Sequence, residues 1–217
     1  MGLISRGDGS GRFSGKKHAP TFDALVVGLG NPGKQYERTR HNVGADVVAE
    51  LARRHGTALS PGRDSALEAQ VRIGDPPNTK RVVLAFPTTF MNESGNAVAK
   101  LARRHGFVID EGFPALVVVH DELDLPPGAV RVKFGGGLGG HNGLRSITAR
   151  TGTQDYVRVR LGVGKPTSKE QGANHVLSRV PPDERSILDV AVRIAADAVE
   201  KIVIDGVNAA MNQFNAS

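Results

Sequence analysis

The chain has 217 residues, 39% of them hydrophobic and 23% charged, ordinary proportions for a soluble globular protein that buries its core without staples. It has no cysteine, which excludes disulfide frameworks, thiolate catalysis and zinc fingers and fits a cytoplasmic protein. The net charge of +6 favours acidic partners, nucleic acid first among them, and no apolar run reaches the roughly 18 residues that a membrane helix needs.

Residues 1–21 are rich in Gly, Ser and basic side chains and lack the apolar segment of a secretory signal. Arg6 stands where a myristoylation motif needs Ser or Thr. The stretch reads as a disordered extension ahead of one domain, residues 22–217. Ala24–Gly28 reads as a buried strand, followed by the loop Leu29–Tyr36. A helix is expected from about Ala45, with Val47, Val48 and Leu51 on one face, Arg53 and Arg54 in its last turn and Gly56 just beyond. Strands follow near Leu67–Ile73 and Arg81–Phe86, then a second helix from near Met91 to Gly106. The β-branched run Leu116–Val119 suits the centre of a parallel sheet. Val130–Phe134 and Tyr156–Val163 alternate and could pair, Asn142–Thr151 reads as a short helix, and Asp183–Gly206 as a long amphipathic one. Strands interleaved with helices predict an α/β fold, a single domain with a twisted mixed sheet and helices on both faces.

Three motifs point elsewhere at first sight. Gly28–Gly33 (GLGNPG) satisfies the dinucleotide fingerprint after a strand. That fingerprint needs its glycines to open a helix whose free N–H groups hold a pyrophosphate, whereas Pro32-Gly33 makes a turn. Its acidic residue should end a second strand, and Glu50 sits mid-helix instead. Gly135–Gly140 (GGGLGG) closes with His141-Asn142, not the Gly-Lys-Ser/Thr of a P-loop. It brings backbone close to a ligand or merely connects a strand to a helix. His120-Asp121 resembles a metal-phosphohydrolase dyad but lacks the further ligands that chemistry needs, and neighbours on a strand point to opposite faces. No G-x-S-x-G elbow is present, which removes the common serine-esterase arrangement.

What remains is a set of polar residues at strand ends and helix starts: Asn31, Tyr36, His41, Asn92, Asp121, His141 and Asn142. Each alone has a plain structural role available, Asn92 and Asn142 as helix N-caps, His41 as a surface histidine, Asp121 as a turn residue. Ligands of open α/β sheets bind outside the carboxyl ends of the strands, so all seven could share one cleft. Together they supply an imidazole base, a carboxylate to orient it and neutral amides to position a carbonyl, the needs of ester hydrolysis.

Leu29–Gly44 (LGNPGKQYERTRHNVG), Pro87–Gly95 (PTTFMNESG), His120–Gly128 (HDELDLPPG) and Gly135–Ser146 (GGGLGGHNGLRS) are similar, in order and spacing, to the motifs of the bacterial peptidyl-tRNA hydrolases, and Arg158–Pro166 extends the match. The resemblance covers roughly residues 23–212. It implies hydrolysis of the ester between a peptide and the 3′ ribose of tRNA, without metal or cofactor. It puts His41 at the position of the base, Asp121 at its supporting carboxylate, and Asn31 where peptidyl-tRNA is told from aminoacyl-tRNA. Tyr36, Phe90, Asn92 and Asn142 fall at contacts to the tRNA 3′ end, His141 beside them, and Met91 at the peptide channel. Arg131, Lys133, Arg160 and Lys169 fall at positions that meet tRNA phosphates.

Two departures accompany the match. Leu138 occupies a loop position that is often polar, and Asn174-His175 replaces an expected acidic, apolar pair, which bears on the docking of the C-terminal helix. The main rival is a non-catalytic RNA-binding or interaction module on the same fold, as in a chloroplast splicing cofactor. It predicts an altered polar set, and here the set is intact. A dinucleotide-dependent enzyme is the second rival, to be decided by cofactor titration. Few large apolar residues suggest an oligomer seam, so a monomer is expected.

Overall fold

The computed structural model describes residues 21–109, 112–166, 168 and 172–216; the expectations for the N-terminal extension and for Lys169 lie outside them. The order of elements is β1 (Ala24–Gly28), α1 (Val43–Arg54), β2 (Ser60–Pro61), β3 (Ala66–Ile73), β4 (Lys80–Pro87), α2 (Ser94–Arg104), β5 (Leu116–Glu122), β6 (Val130–Phe134), α3 (Asn142–Thr151), β7 (Val157–Gly162), α4 (Gly172–Leu177), α5 (Pro182–Asp205) and α6 (Val207–Phe214). Short 3₁₀ turns at Lys34–Tyr36, Arg40–Asn42 and Met91–Glu93 precede or lead into helices. β2, α4 and α6 are additions to the elements read from the sequence, all short or weakly periodic.

The seven strands form one sheet in the order β2-β3-β4-β1-β5-β7-β6. β1 runs parallel to β4 and β5, and β5 parallel to β7, while β3 pairs antiparallel with β4 and β6 with β7. The mixed α/β sheet expected from the interleaved pattern is therefore what the chain forms. β1 and β5 are buried on both faces, so their Leu/Val runs have no solvent side to alternate toward. One apolar cluster joins Val26, Leu84 and Val119 to α1, α5 and α6; the other joins Leu25, Val27 and Val118 to Leu101 of α2 and Ile147 of α3.

Two close approaches decide where the polar residues lie. A Cβ on Gly44 would stand 2.3 Å from the Val119 carbonyl oxygen, so only glycine lets the start of α1 sit against the end of β5. That contact brings the Arg40–Asn42 turn beside Asp121. A Cβ on Gly95 would stand 2.1 Å from the Ser146 carbonyl oxygen, and the Gly95 N–H donates to Ser146 Oγ at 2.9 Å. Backbones this close need the missing side chain, and the contact draws the starts of α2 and α3 together.

Candidate active site

Asp121 is the hinge of the arrangement. It is 4% exposed, and its Oδ1 accepts from two imidazoles, His41 Nδ1 at 2.8 Å and His141 Nε2 at 3.0 Å. Burial opposes its charge, but His41 and His141 outweigh that and hold the carboxyl well below the usual carboxylate range. A carboxylate only accepts, so His41 must carry its hydrogen on Nδ1 and leave Nε2 as a lone pair.

The tautomer of His141 is fixed from its other side. His141, not Asn142, is the N-cap of α3, and its Nδ1 accepts from the Gly143 and Leu144 N–H groups at 3.1 and 3.4 Å. Neither Asn92 nor Asn142 takes the N-cap role open to it as a plain structural alternative: Asn142 is the first helical residue, and the turn at Met91–Glu93 has no side-chain cap. Asn caps because its oxygen accepts; an imidazole lone pair does the same work, which residue-type statistics do not suggest.

His41, Asp121 and His141 each place a donor atom within 4.8 Å of the others, a spacing that suits a divalent cation. The donor chemistry does not. A neutral imidazole that binds a metal through one nitrogen carries hydrogen on the other, and His141 Nδ1 is already committed to two N–H donors. The set fits a hydrogen-bonded brace better than a metal centre.

His41 lies between two depressions. A cavity of about 190 Å³ is lined by His41, His120, Asp121, Leu138, His141 and Val176 among others. A cleft of about 470 Å³ on the other side is lined by Asn31, Tyr36, His41, Phe90, Met91, Asn92, Asn142, Arg145, Val176 and Leu177. The residues singled out by sequence are therefore brought together, with His41 and Asn142 shared by both spaces. Tyr36 and Phe90 meet edge to face at 6.5 Å on the rim of the cleft.

Asn31 is positioned through both its backbone and its side chain. Its N–H donates to Asn42 Oδ1 and its carbonyl accepts from Asn42 Nδ2, both at 2.9 Å. Its own Oδ1 accepts from the Met91 N–H at 2.8 Å, so the amide group left to meet a ligand is the Nδ2 donor. Asn142 Oδ1 accepts from Arg145 at 3.1 Å and likewise leaves Nδ2.

His120 lines the cavity beside His141. Its Nδ1 donates to the Asp121 carbonyl at 2.7 Å, and its ring lies 5.0 Å from that of His141. Burial, with His141 beside it, pushes its pKa down to about 3, which favours the neutral imidazole in the wall of the cavity. Leu138 lies over the same cavity and packs on the α2/α3 core.

Three site residues escaped the sequence reading. Asn42 ties the loop of Asn31 to the turn of His41, Arg40 beside it is almost buried, and Arg158 staples the glycine loop. Arg158 is 2% exposed and donates to the Gly136 and Gly137 carbonyls at 2.8 and 2.7 Å, with Tyr156 against its guanidinium. Buried arginine has no periodic signature, although the neighbours of His41 in the Arg-His-Asn turn were a signal to follow.

The basic positions divide. The β6–β7 register pairs Arg131 with Arg160 and Lys133 with Arg158, which puts four cations on one face. Arg160 is held by Glu122 at 3.0 Å, and Arg131 donates to the Val130 and Phe214 carbonyls. Lys133 is exposed.

Comparison with known proteins now bears on this geometry. Residues 25–217 match the family model described as peptidyl-tRNA hydrolase. The chain is 51% identical over 199 residues to a peptidyl-tRNA hydrolase of Cutibacterium acnes, covering 88% of this chain and 98% of that one. It is 51% identical over 195 residues to that of Kineococcus radiotolerans, covering 88% and 96%. Among solved structures it is similar to peptidyl-tRNA hydrolase from Acinetobacter baumannii, with 39% identity, a TM-score of 0.77, and coverage of 89% and 94%.

Proposed function

The chain belongs to the peptidyl-tRNA hydrolase family, and from that premise we propose that His41, braced by Asp121, is the base that makes water nucleophilic. The enzyme is a carboxylic ester hydrolase: it cleaves the bond between a peptide, or an N-blocked aminoacyl group, and the 3′ ribose of tRNA, recycling tRNA from peptidyl-tRNA released too early. The observation that carries the catalytic reading is the 2.8 Å bond from His41 Nδ1 to Asp121 Oδ1, which leaves Nε2 as the proton acceptor beside the cleft.

His41 Nε2 takes a proton from water as the water oxygen attacks the ester carbon. Asp121 stabilises the imidazolium that results. The carbonyl oxygen gains negative charge, which the Asn92 amide meets as a donor. Collapse expels the ribose oxygen, which takes the proton back from His41 Nε2, leaving a peptide carboxylic acid and free tRNA. None of these steps calls on a metal or cofactor. His141 holds Asp121 in place, beside the substrate contacts that Tyr36, Phe90, Met91, Asn92 and Asn142 provide.

The Asn31 Nδ2 donor supplies selectivity in this scheme. It can donate to the first peptide carbonyl of an N-blocked substrate, whereas a free α-ammonium is itself only a donor and leaves it unpaired. Incubation with N-acetylated aminoacyl-tRNA beside the unblocked form tests the reading. Release from the first and sparing of the second is expected; equal release would remove Asn31 from discrimination.

No helix among the described residues is long and apolar enough to cross a membrane, and the protein is proposed to act in the cytoplasm as a monomer. Its basic positions, Arg131, Lys133, Arg160 and Lys169, are proposed to meet tRNA phosphates. Substrate affinity should then fall as salt rises, and Lys133→Ala should flatten the log–log slope by about one. An unchanged slope in that variant would take Lys133 off the tRNA path.

A further inference from the structure

Arg40, the residue before His41, takes no part in the steps above, yet it is 6% exposed. Its guanidinium forks onto both carboxylate oxygens of Glu184, Nε to Oε1 at 2.8 Å and Nη2 to Oε2 at 2.6 Å. Nη1 donates to the His175 carbonyl at 3.1 Å and to Ser178 Oγ at 3.4 Å. One side chain therefore joins the turn that bears His41, the last turn of α4 and the first turn of α5.

α5 is a firm base for this contact. Arg185, next to Glu184, donates to Asp46 of α1 at 2.8 Å and to Asp189 at 2.7 Å. α4 is the opposite case. It has six residues, too few to persist without tertiary support, and yet Val176 lines both spaces beside His41 and Leu177 the cleft. Besides Arg40, α4 is held by His175 Nε2 donating to the Val163 carbonyl at 3.1 Å, while the chain after it bridges Thr39 through Arg179. Of the Asn174-His175 pair, His175 is the residue that docks this short helix. A forked arginine–carboxylate pair fixes direction as well as distance.

We infer that Arg40 and Glu184 are positioning residues, a clamp that keeps the α4 wall of the cleft and the turn bearing His41 in one relation. The inference rests on the reading of His41 as the base. Loss of the clamp frees the wall and the base together, so both substrate binding and turnover suffer.

The test is steady-state hydrolysis of N-acetylated aminoacyl-tRNA by Arg40→Gln, Glu184→Gln and His41→Asn, with hydrogen exchange read at the α4 amides. Arg40→Gln should lose on the order of 10²-fold in kcat/KM, the effect of a displacement of about 1 Å. Glu184→Gln should lose at least about tenfold, less because a neutral acceptor remains. In both, kcat falls, KM rises and α4 exchanges faster. A merely structural ion pair would lower the melting temperature with kcat and KM within about twofold of the parent, and that result overturns the clamp. Should Arg40→Gln fail to fold, Glu184→Gln decides. An inactive His41→Asn beside an unimpaired Glu184→Gln defeats the clamp alone; an active His41→Asn defeats the base and the clamp with it.

Discussion

Replacing His41 with alanine should lower kcat by at least about 10²–10⁴-fold, the contribution of a positioned general base, with little change in affinity for tRNA. The side chain is 11% exposed and bonded within the described structure only to Asp121, so its removal leaves the fold largely untouched. The loss should fall on turnover because Nε2 acts on water and not on the polynucleotide. Steady-state kinetics with N-acetylated aminoacyl-tRNA and a separate tRNA-binding titration divide the two effects. Near-parental turnover would remove His41 from the chemistry.

Asp121→Asn carries the second large effect. The amide has nearly the carboxylate's shape, so the pocket is kept while the charge is lost. The two imidazole N–H groups that share Oδ1 then meet a neutral oxygen, and no charge stabilises the imidazolium. In a serine-protease triad the same exchange costs about 10⁴-fold in kcat, and a loss of that order is expected here. Stability should respond to pH as well. The folded pKa of Asp121 lies below its ordinary value of 3.8, so its contribution is present above that value and is lost as pH falls beneath it. Acid titration of the unfolding free energy should therefore be steeper for the parent than for Asp121→Asn below about pH 3.8.

Much of the fold was legible because its strands are short apolar runs and its helices are strongly periodic. Leu116–Val119 reads as a central parallel strand since Val117 and Val119 face one core and Leu116 and Val118 the other. The start of α1 was not legible to the residue. The helix begins at Val43, not near Ala45, because Arg40–Asn42 already forms a 3₁₀ turn whose polar side chains hide the period. α4 was missed for the same reason: six residues with one buried side chain described, Val176, carry no pattern.

The site divides along similar lines. Residues that line the cleft announce themselves by type and motif, as His41 and Asn31 do, and Asp121 does so by motif although it is buried. The other residues that position them through buried contacts do not. Arg158 sits among alternating strand residues, where its charge argues for the surface, and is buried only because the carbonyls of the glycine loop accept from it. His141 looks like a ligand contact beside Asn142; only the helix it caps and the carboxylate it donates to give it its place.

The most direct measurement is kcat of the double variant His41→Ala/Asp121→Asn beside both single variants, under single-turnover conditions. Groups that act as one unit have non-additive effects. With the imidazole gone the carboxylate has no base to orient, and the double variant should be no slower than His41→Ala alone. Losses that multiply would mean that Asp121 works through something other than His41.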